Sequence, residues 1–121
     1  MYKRQKSNIQ IQPVLADSIY TVIFMEAIFS FFIILAYLRV TSDDLKKNSS
    51  YGFIIGLPLI VGIFSAAPVS GAVFNPAISI GPSIIDILTN EGVSQYFTWY
   101  YVVGPFLGGI FAYLLNKLFE K

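Results

Sequence analysis

Three long apolar tracts separated by short polar stretches set the pattern of the chain. The first, at about 19–40, is interrupted in its interior by Glu26 and Ser30. About 20 apolar residues, at 1.5 Å per residue, cross a hydrocarbon core of about 30 Å, so a spanning helix is predicted. Asp17 or Ser18 is suited to cap its start, and Tyr20 and Tyr37 lie near its ends, where amphipathic rings favour the interface. Residues 41–50, TSDDLKKNSS, read as an exposed loop. The second tract, at about 51–67, is rich in small residues. Its Gly52 and Gly56 form a GxxxG pair, which allows close backbone approach. Pro58 marks either a kink or the helix start, and the tract ends in the breaker cluster SAAPVSG. The third tract, at about 96–119, opens with an aromatic belt, Tyr96, Phe97, Trp99, Tyr100 and Tyr101, and closes with Lys117 and Lys121. Gly104, Gly108 and Gly109 give it a close-packing face, and Pro105 predicts a kink.

Between the second and third tracts lies NPAISIGPSIIDIL, whose apolar part is too short to span. Asn is a good N-cap and Pro is favoured at the first helical position, so a half-helix at about 75–88 is predicted. The preceding residues, 67–74, should be irregular. At membrane depth, irregular backbone survives only where protein buries it or where it lines a wet cavity. The N-terminus of such a helix points partial positive charge at that cavity. Carbonyls before Asn75 and the Asn75 amide would then suit a file of water or polyols and disfavour cations and protons. A re-entrant or interfacial loop that conducts nothing fits the same pattern, since Asn-Pro is also an ordinary turn signal.

Composition narrows the picture. Of the 121 residues, 55% are hydrophobic and 12% charged, against about 25% charged in soluble domains. A net charge of +1 argues against a nucleic-acid surface. With no Cys there are no disulfides or thiolate metal sites, and with no His the commonest general base and metal ligand are missing. The basic N-terminus (Lys3, Arg4, Lys6) lacks the apolar run and cleavage site of a signal peptide. Of the carboxylates only Glu26 is clearly deep, and no second catalytic group pairs with it, so an enzyme is not expected.

Glu26 is itself informative. A carboxylate near the middle of a span costs about 2.5–3.5 kcal/mol on insertion scales and should face inward with a partner. It is suited to brace the irregular backbone before Asn75 by accepting its N–H bonds. The alternative is a packing or snorkelling role. Ser30, one turn later, either bonds back to its own helix or joins this network.

These residues resemble a known family. GAVFNPA with the following SIGPS is similar to the NPA loop of aquaporins and aquaglyceroporins, the major intrinsic proteins. Glu26 followed by Ser30-Phe31-Phe32 is similar to the family's Glu-x-x-x-Thr-Phe. Ile55-Gly56-Leu57 lies at the usual distance from the NPA, and Trp99 to Gly108 is similar to Tyr-Trp-x-Gly-Pro-x-x-Gly. The resemblance covers about residues 17–119 and implies half of an inverted-repeat bundle, the second repeat being favoured over the first. The expected fold is an all-α membrane protein with three transmembrane helices and one NPA half-helix. Residues 1–16 would be a tail and 17–121 an aquaporin-like half domain.

The resemblance implies a channel, or half of one, for water or small neutral solutes such as glycerol, with Asn75, Pro76 and Ala77 at the pore. A non-conducting truncated or regulatory subunit is the alternative. The family's NPAR arginine falls on Ile78, its filter histidine on Ile63, and the small residue before the asparagine on Ala72. All three selectivity positions are apolar, which implies a hydrophobic constriction. No cofactor or metal is expected. One repeat cannot enclose the pore, so the partners expected beside the lipid bilayer are a complementary half, either a second copy or a separate chain, and a higher oligomer such as a tetramer. The chain could equally be a fragment of a longer protein. Basic residues number five on the side of the 41–50 loop and the C-terminus against three on the other. This bias places the C-terminus of a multi-pass protein in the cytoplasm.

Overall fold

The computed structural model describes residues 18–41, 49–89 and 92–119. The expectations for the 1–16 tail, for Asp17 as a cap, for Lys46 and Lys47 in the polar loop and for Lys121 lie outside the described residues.

The described residues form an all-α bundle. Helix α1 spans Ile19–Thr41. Its start is held by Ser18, whose Oγ accepts the Tyr20 N–H at 3.2 Å while its carbonyl accepts the N–H groups of Thr21 and Val22. Helix α2 covers Tyr51–Ala66, α3 covers Pro76–Thr89, α4 is a single turn at Gln95–Thr98, and α5 covers Tyr100–Phe119. Ile19–Thr41 and Gln95–Phe119 are long and apolar enough to cross a membrane. Only 17% and 28% of their most apolar windows are buried, so neither is wrapped in protein as the core helix of a soluble domain would be. At 16 residues, α2 is shorter, about 24 Å at the standard rise. Both α2 and α5 run on through their prolines, Pro58 and Pro105. The interruption in the third apolar tract falls at Trp99, between α4 and α5.

The bundle is organised by α1 against α5, its most extensive helix pair. The reason is backbone proximity at two glycines. A Cβ on Gly104 would stand 2.6 Å from the Glu26 Cβ and 3.0 Å from the Ile23 carbonyl. One on Gly108 would stand 2.8 Å from the Phe31 nitrogen. Gly104 and Gly108, four residues apart, therefore act as the small-xxx-small pair of this interface. The GxxxG pair picked out in α2 behaves differently: a Cβ at Gly52 or Gly56 would meet nothing within 4 Å. Gly62 is the close-packed glycine of α2, facing the rings of Phe74 and Phe29.

Helix α3 is apolar outside and polar inside. Ile78, Ile80, Ile84, Ile85, Ile87 and Leu88 are exposed, while Ser79, Ser83 and Asp86 are buried. The buried face is pinned to α4: Ser83 Oγ donates to the Ser79 carbonyl at 2.8 Å and lies 2.5 Å from Thr98 Oγ1, and Asp86 Oδ2 accepts the Ser94 N–H at 2.8 Å. An apolar exterior over a hydrogen-bonded polar interior matches an element surrounded by lipid or another apolar partner.

Candidate functional site

The site is built around the chain from Ser70 to Asn75, which carries no regular structure between Gly71 and Asn75. Three of its residues have positive φ: Gly71 at 93°, Ala72 at 54° and Phe74 at 51°. Only glycine adopts this region without penalty, and for Ala72 and Phe74 it costs about 1–2 kcal/mol each. The surrounding side chains offset that cost.

Glu26, fully buried on α1, supplies most of the restraint. Its Oε1 accepts the Ser70 hydroxyl at 2.6 Å and the Val73 N–H at 3.1 Å, and its Oε2 accepts the Phe74 N–H at 2.6 Å. Backbone that would otherwise be unpaired away from water is thus satisfied by one carboxyl group. Ser30, one turn further along α1, donates to the Phe74 carbonyl at 3.2 Å rather than bonding back into its own helix. Phe74 also packs its ring 5.6 Å from that of Phe29 and against Gly62.

Asn75 ends the segment and starts α3. Its Oδ1 accepts the Ala77 N–H at 3.0 Å and its carbonyl accepts the Ile78 N–H at 3.1 Å, with Pro76 at the first helical position. Asn75 and Ala77 are exposed and Pro76 is half-buried. Asn75 and Pro76 help to line a groove of about 630 Å³, together with Ile33 and Ile34 of α1 and Phe106 and Tyr113 of α5. The structure does not bring Ile63, Ala72 and Ile78 into that groove. Ile78, on α3, is 55% exposed, Ile63, on α2, is 43% exposed, and Ala72 is half-buried in the irregular segment. Among the described residues no cluster of His, Cys, Asp and Glu is arranged to hold a metal.

Two participants escaped the sequence reading. Ser70, inside the SAAPVSG cluster, is fully buried and links Glu26 to the segment, its Oγ also accepting the Ala72 N–H at 3.2 Å. Tyr101, assigned above to an interfacial belt, is fully buried, and Tyr100 nearly so. Tyr96 and Trp99 are the exposed members of that cluster. The missed signal was spacing: Tyr101 lies three and seven residues before Gly104 and Gly108, on the face turned to α1.

The chain matches the family model for the major intrinsic proteins over residues 1–116. It belongs to the major intrinsic protein family. It is 35% identical over 109 residues to a putative aquaporin, NIP4-1, of Arabidopsis thaliana, which covers 88% of the chain and 36% of the relative. A probable aquaporin of the NIP type from Nicotiana alata is 36% identical over 102 residues, covering 80% of the chain and 35% of the relative. A glycerol uptake facilitator protein-like 6 of Lactiplantibacillus plantarum is 35% identical over 89 residues, covering 74% and 39%. The chain thus spans little more than a third of the length of these relatives. No solved structure matches it. Members of the major intrinsic protein family are channels, not enzymes, in agreement with the expectation from the carboxylates.

Proposed function

We propose that the chain is a transmembrane channel, or half of one, for the passive passage of water or small neutral solutes such as glycerol. The observation that carries this reading is the Ser70–Asn75 segment. A buried carboxyl group holds its N–H groups, and it runs into a capped helix whose outer face is apolar. Irregular backbone restrained in this way is what a polar file through lipid requires. Three spans and an NPA half-helix, the layout of one repeat, would have α1, α2 and α5 crossing and α3 entering from one side. Asn75, Pro76 and Ala77 would stand at the narrow point. Ile63, Ala72 and Ile78 would give the constriction its apolar character, and Glu26 would brace the loop. A complementary half, a second copy or a separate chain, would close the groove at Asn75 and Pro76, and such pairs would assemble further, for example as tetramers.

If two copies close the pore, reconstitution into proteoliposomes should give water or glycerol permeability above that of empty vesicles in a light-scattering assay, and rates equal to empty vesicles would sink the two-copy pore. Asn75→Asp should change the permeability several-fold, because a charge replaces a neutral donor at the helix N-terminus. The second reading is a non-conducting subunit that assembles with another channel half. It predicts no effect of Asn75→Asp on permeation. The C-terminus would face the cytoplasm. Labelling single cysteines placed at 41–50 in intact cells and inverted membranes should then give signal from the cytoplasmic side alone, and equal signal from both sides would instead mean insertion in two orientations.

A further inference from the structure

The α1–α5 pair carries a second groove that the site above does not use. Its volume is about 380 Å³, and Phe24, Ala27, Ile28 and Phe31 of α1 line it with Gly108 and Phe111 of α5. None of these residues lines the groove at Asn75. At 3.6 residues per turn, Ile28 here and Ile33 there stand about 140° apart around α1, so the two grooves flank opposite sides of the α1–α5 seam. Every side chain lining the second groove is apolar, and Phe24 and Phe111 are largely exposed.

The two helices run parallel: Gly104 meets Ile23, Gly108 meets Phe31, and further on Arg39 meets Phe119. Arg39 lies eleven residues after Ile28, and Phe119 eleven after Gly108. Eleven residues are close to three turns, so each stands about 16 Å further along the line that its helix already contributes to the groove. Leu35 and Leu115, both half-buried, continue those lines in between. At the end, the Arg39 guanidinium lies 5.6 Å from the centre of the Phe119 ring, held there by the ring's quadrupole. The result is an apolar track that ends on a cation.

We propose that this track binds one anionic phospholipid, with its phosphate on Arg39 and one acyl chain in the groove. The lining side chains offer a ligand no hydrogen bond, so what fills the groove is hydrocarbon. The planar guanidinium, with its fork of N–H donors, matches a phosphate two bonds at a time. The distance also fits, since about 16 Å from Ile28 to Arg39 is close to half of a hydrocarbon core of about 30 Å, the depth of one leaflet. A soluble phosphate would meet the cation and leave the groove empty, and a packed helix would have to bury the cation as well. The two carboxylates among the described residues are engaged elsewhere, Glu26 with the Ser70–Phe74 chain and Asp86 with the Ser94 N–H. The site lies on the other side of the seam from the Asn75 groove and does not depend on conduction.

The test is native mass spectrometry of the full chain released from mixed micelles with equal amounts of phosphatidylglycerol and phosphatidylcholine of the same acyl chains. The wild type should retain phosphatidylglycerol over phosphatidylcholine by about fivefold, the scale of one basic side chain at a membrane surface. Arg39→Gln should bring that ratio close to one. Lys117→Gln is the control and should leave the ratio unchanged. It removes the same charge from the last turn of α5, but Lys117 is exposed and stands half a turn out of phase with Gly108. Equal losses in the two variants would overturn the site, because net charge alone would then explain the preference. Ile28→Trp fills the groove and leaves Arg39 in place. It should lower the retention of both lipids several-fold, and unchanged retention would overturn the groove as the seat of the chain. Excess glycerol 3-phosphate should displace no lipid, and displacement would mean that Arg39 binds phosphate without the groove. A wild-type dimer carrying no lipid would give this face to a second copy and overturn the proposal.

Discussion

Glu26→Ala is expected to be the most damaging single substitution in this chain. It strands three donors at once, the Ser70 hydroxyl and the N–H groups of Val73 and Phe74. The Ser70 hydroxyl and the Phe74 N–H are buried and the Val73 N–H is half-buried, all at the junction of α1 with the irregular segment. Leaving a buried donor unpaired costs about 1–3 kcal/mol, so the loss should reach about 3 kcal/mol or more. It falls on a segment that already carries two non-glycine residues at positive φ, Ala72 and Phe74. Without the carboxyl group nothing on α1 holds those N–H groups. Glu26→Gln keeps an acceptor oxygen of nearly the same reach and should recover part of the loss. Denaturant titration in detergent micelles gives the comparison. Alanine and glutamine variants of equal stability would overturn the role of the Glu26 oxygens as the acceptors that support the loop.

The second large effect is expected at Gly108. An alanine there would place its Cβ 2.8 Å from the Phe31 nitrogen and 3.1 Å from the Ser30 Cβ, and hard against the Ala27 carbonyl. Most of that wall is helix backbone, which cannot rotate aside. The α1–α5 pair must separate, at a cost of about 1–3 kcal/mol for the methyl group, with larger residues preventing the pairing. Gly56→Ala tests the opposite case. Its Cβ would meet nothing within 4 Å, and alanine is the better helix former by about 1 kcal/mol, so the isolated chain should be unaffected or slightly more stable. The same titration measures both. Gly108→Ala no less stable than wild type would mean that α1 and α5 do not touch at backbone distance.

The contrast between these glycine pairs shows how far a pattern reaches. Gly52 and Gly56 carry the GxxxG spacing in its plainest form, and Gly104 and Gly108 carry it with a proline between them. Nothing local distinguishes a pair that meets a neighbour from one that faces open space. The two apolar spans are different, because length and hydropathy are properties of the segment alone: Ile19–Thr41 and Gln95–Phe119 emerge where the pattern puts them. The tract at 51–67 yields a helix of 16 residues, since the breaker cluster after it begins to turn at Ala67. The aromatic cluster was read as an interfacial belt from composition. Helical phase instead divides it into exposed Tyr96 and Trp99 and buried Tyr100 and Tyr101.

The candidate site divides in the same way. The start of a helix at Asn75-Pro76 is a local event, since a side-chain oxygen two residues from the N–H it caps and a ring already at helical φ need no help from elsewhere. That Glu26 turns inward was equally readable, because a carboxylate in an apolar span has nowhere cheaper to go. What those groups hold is another matter. Glu26 meets Val73 and Phe74 across 47 and 48 residues of chain, and Tyr101 meets Ser70 across 31. The geometry that unites them depends on two glycines letting α5 lie against α1, and on three residues accepting positive φ so that the N–H groups face one way. Apolar length and capping chemistry are written residue by residue and survive in any context. Hydrogen bonds between distant segments exist only once helix packing has fixed the distance between them. The sequence therefore names the spans, the helix start and the inward carboxylate, and packing alone chooses their partners.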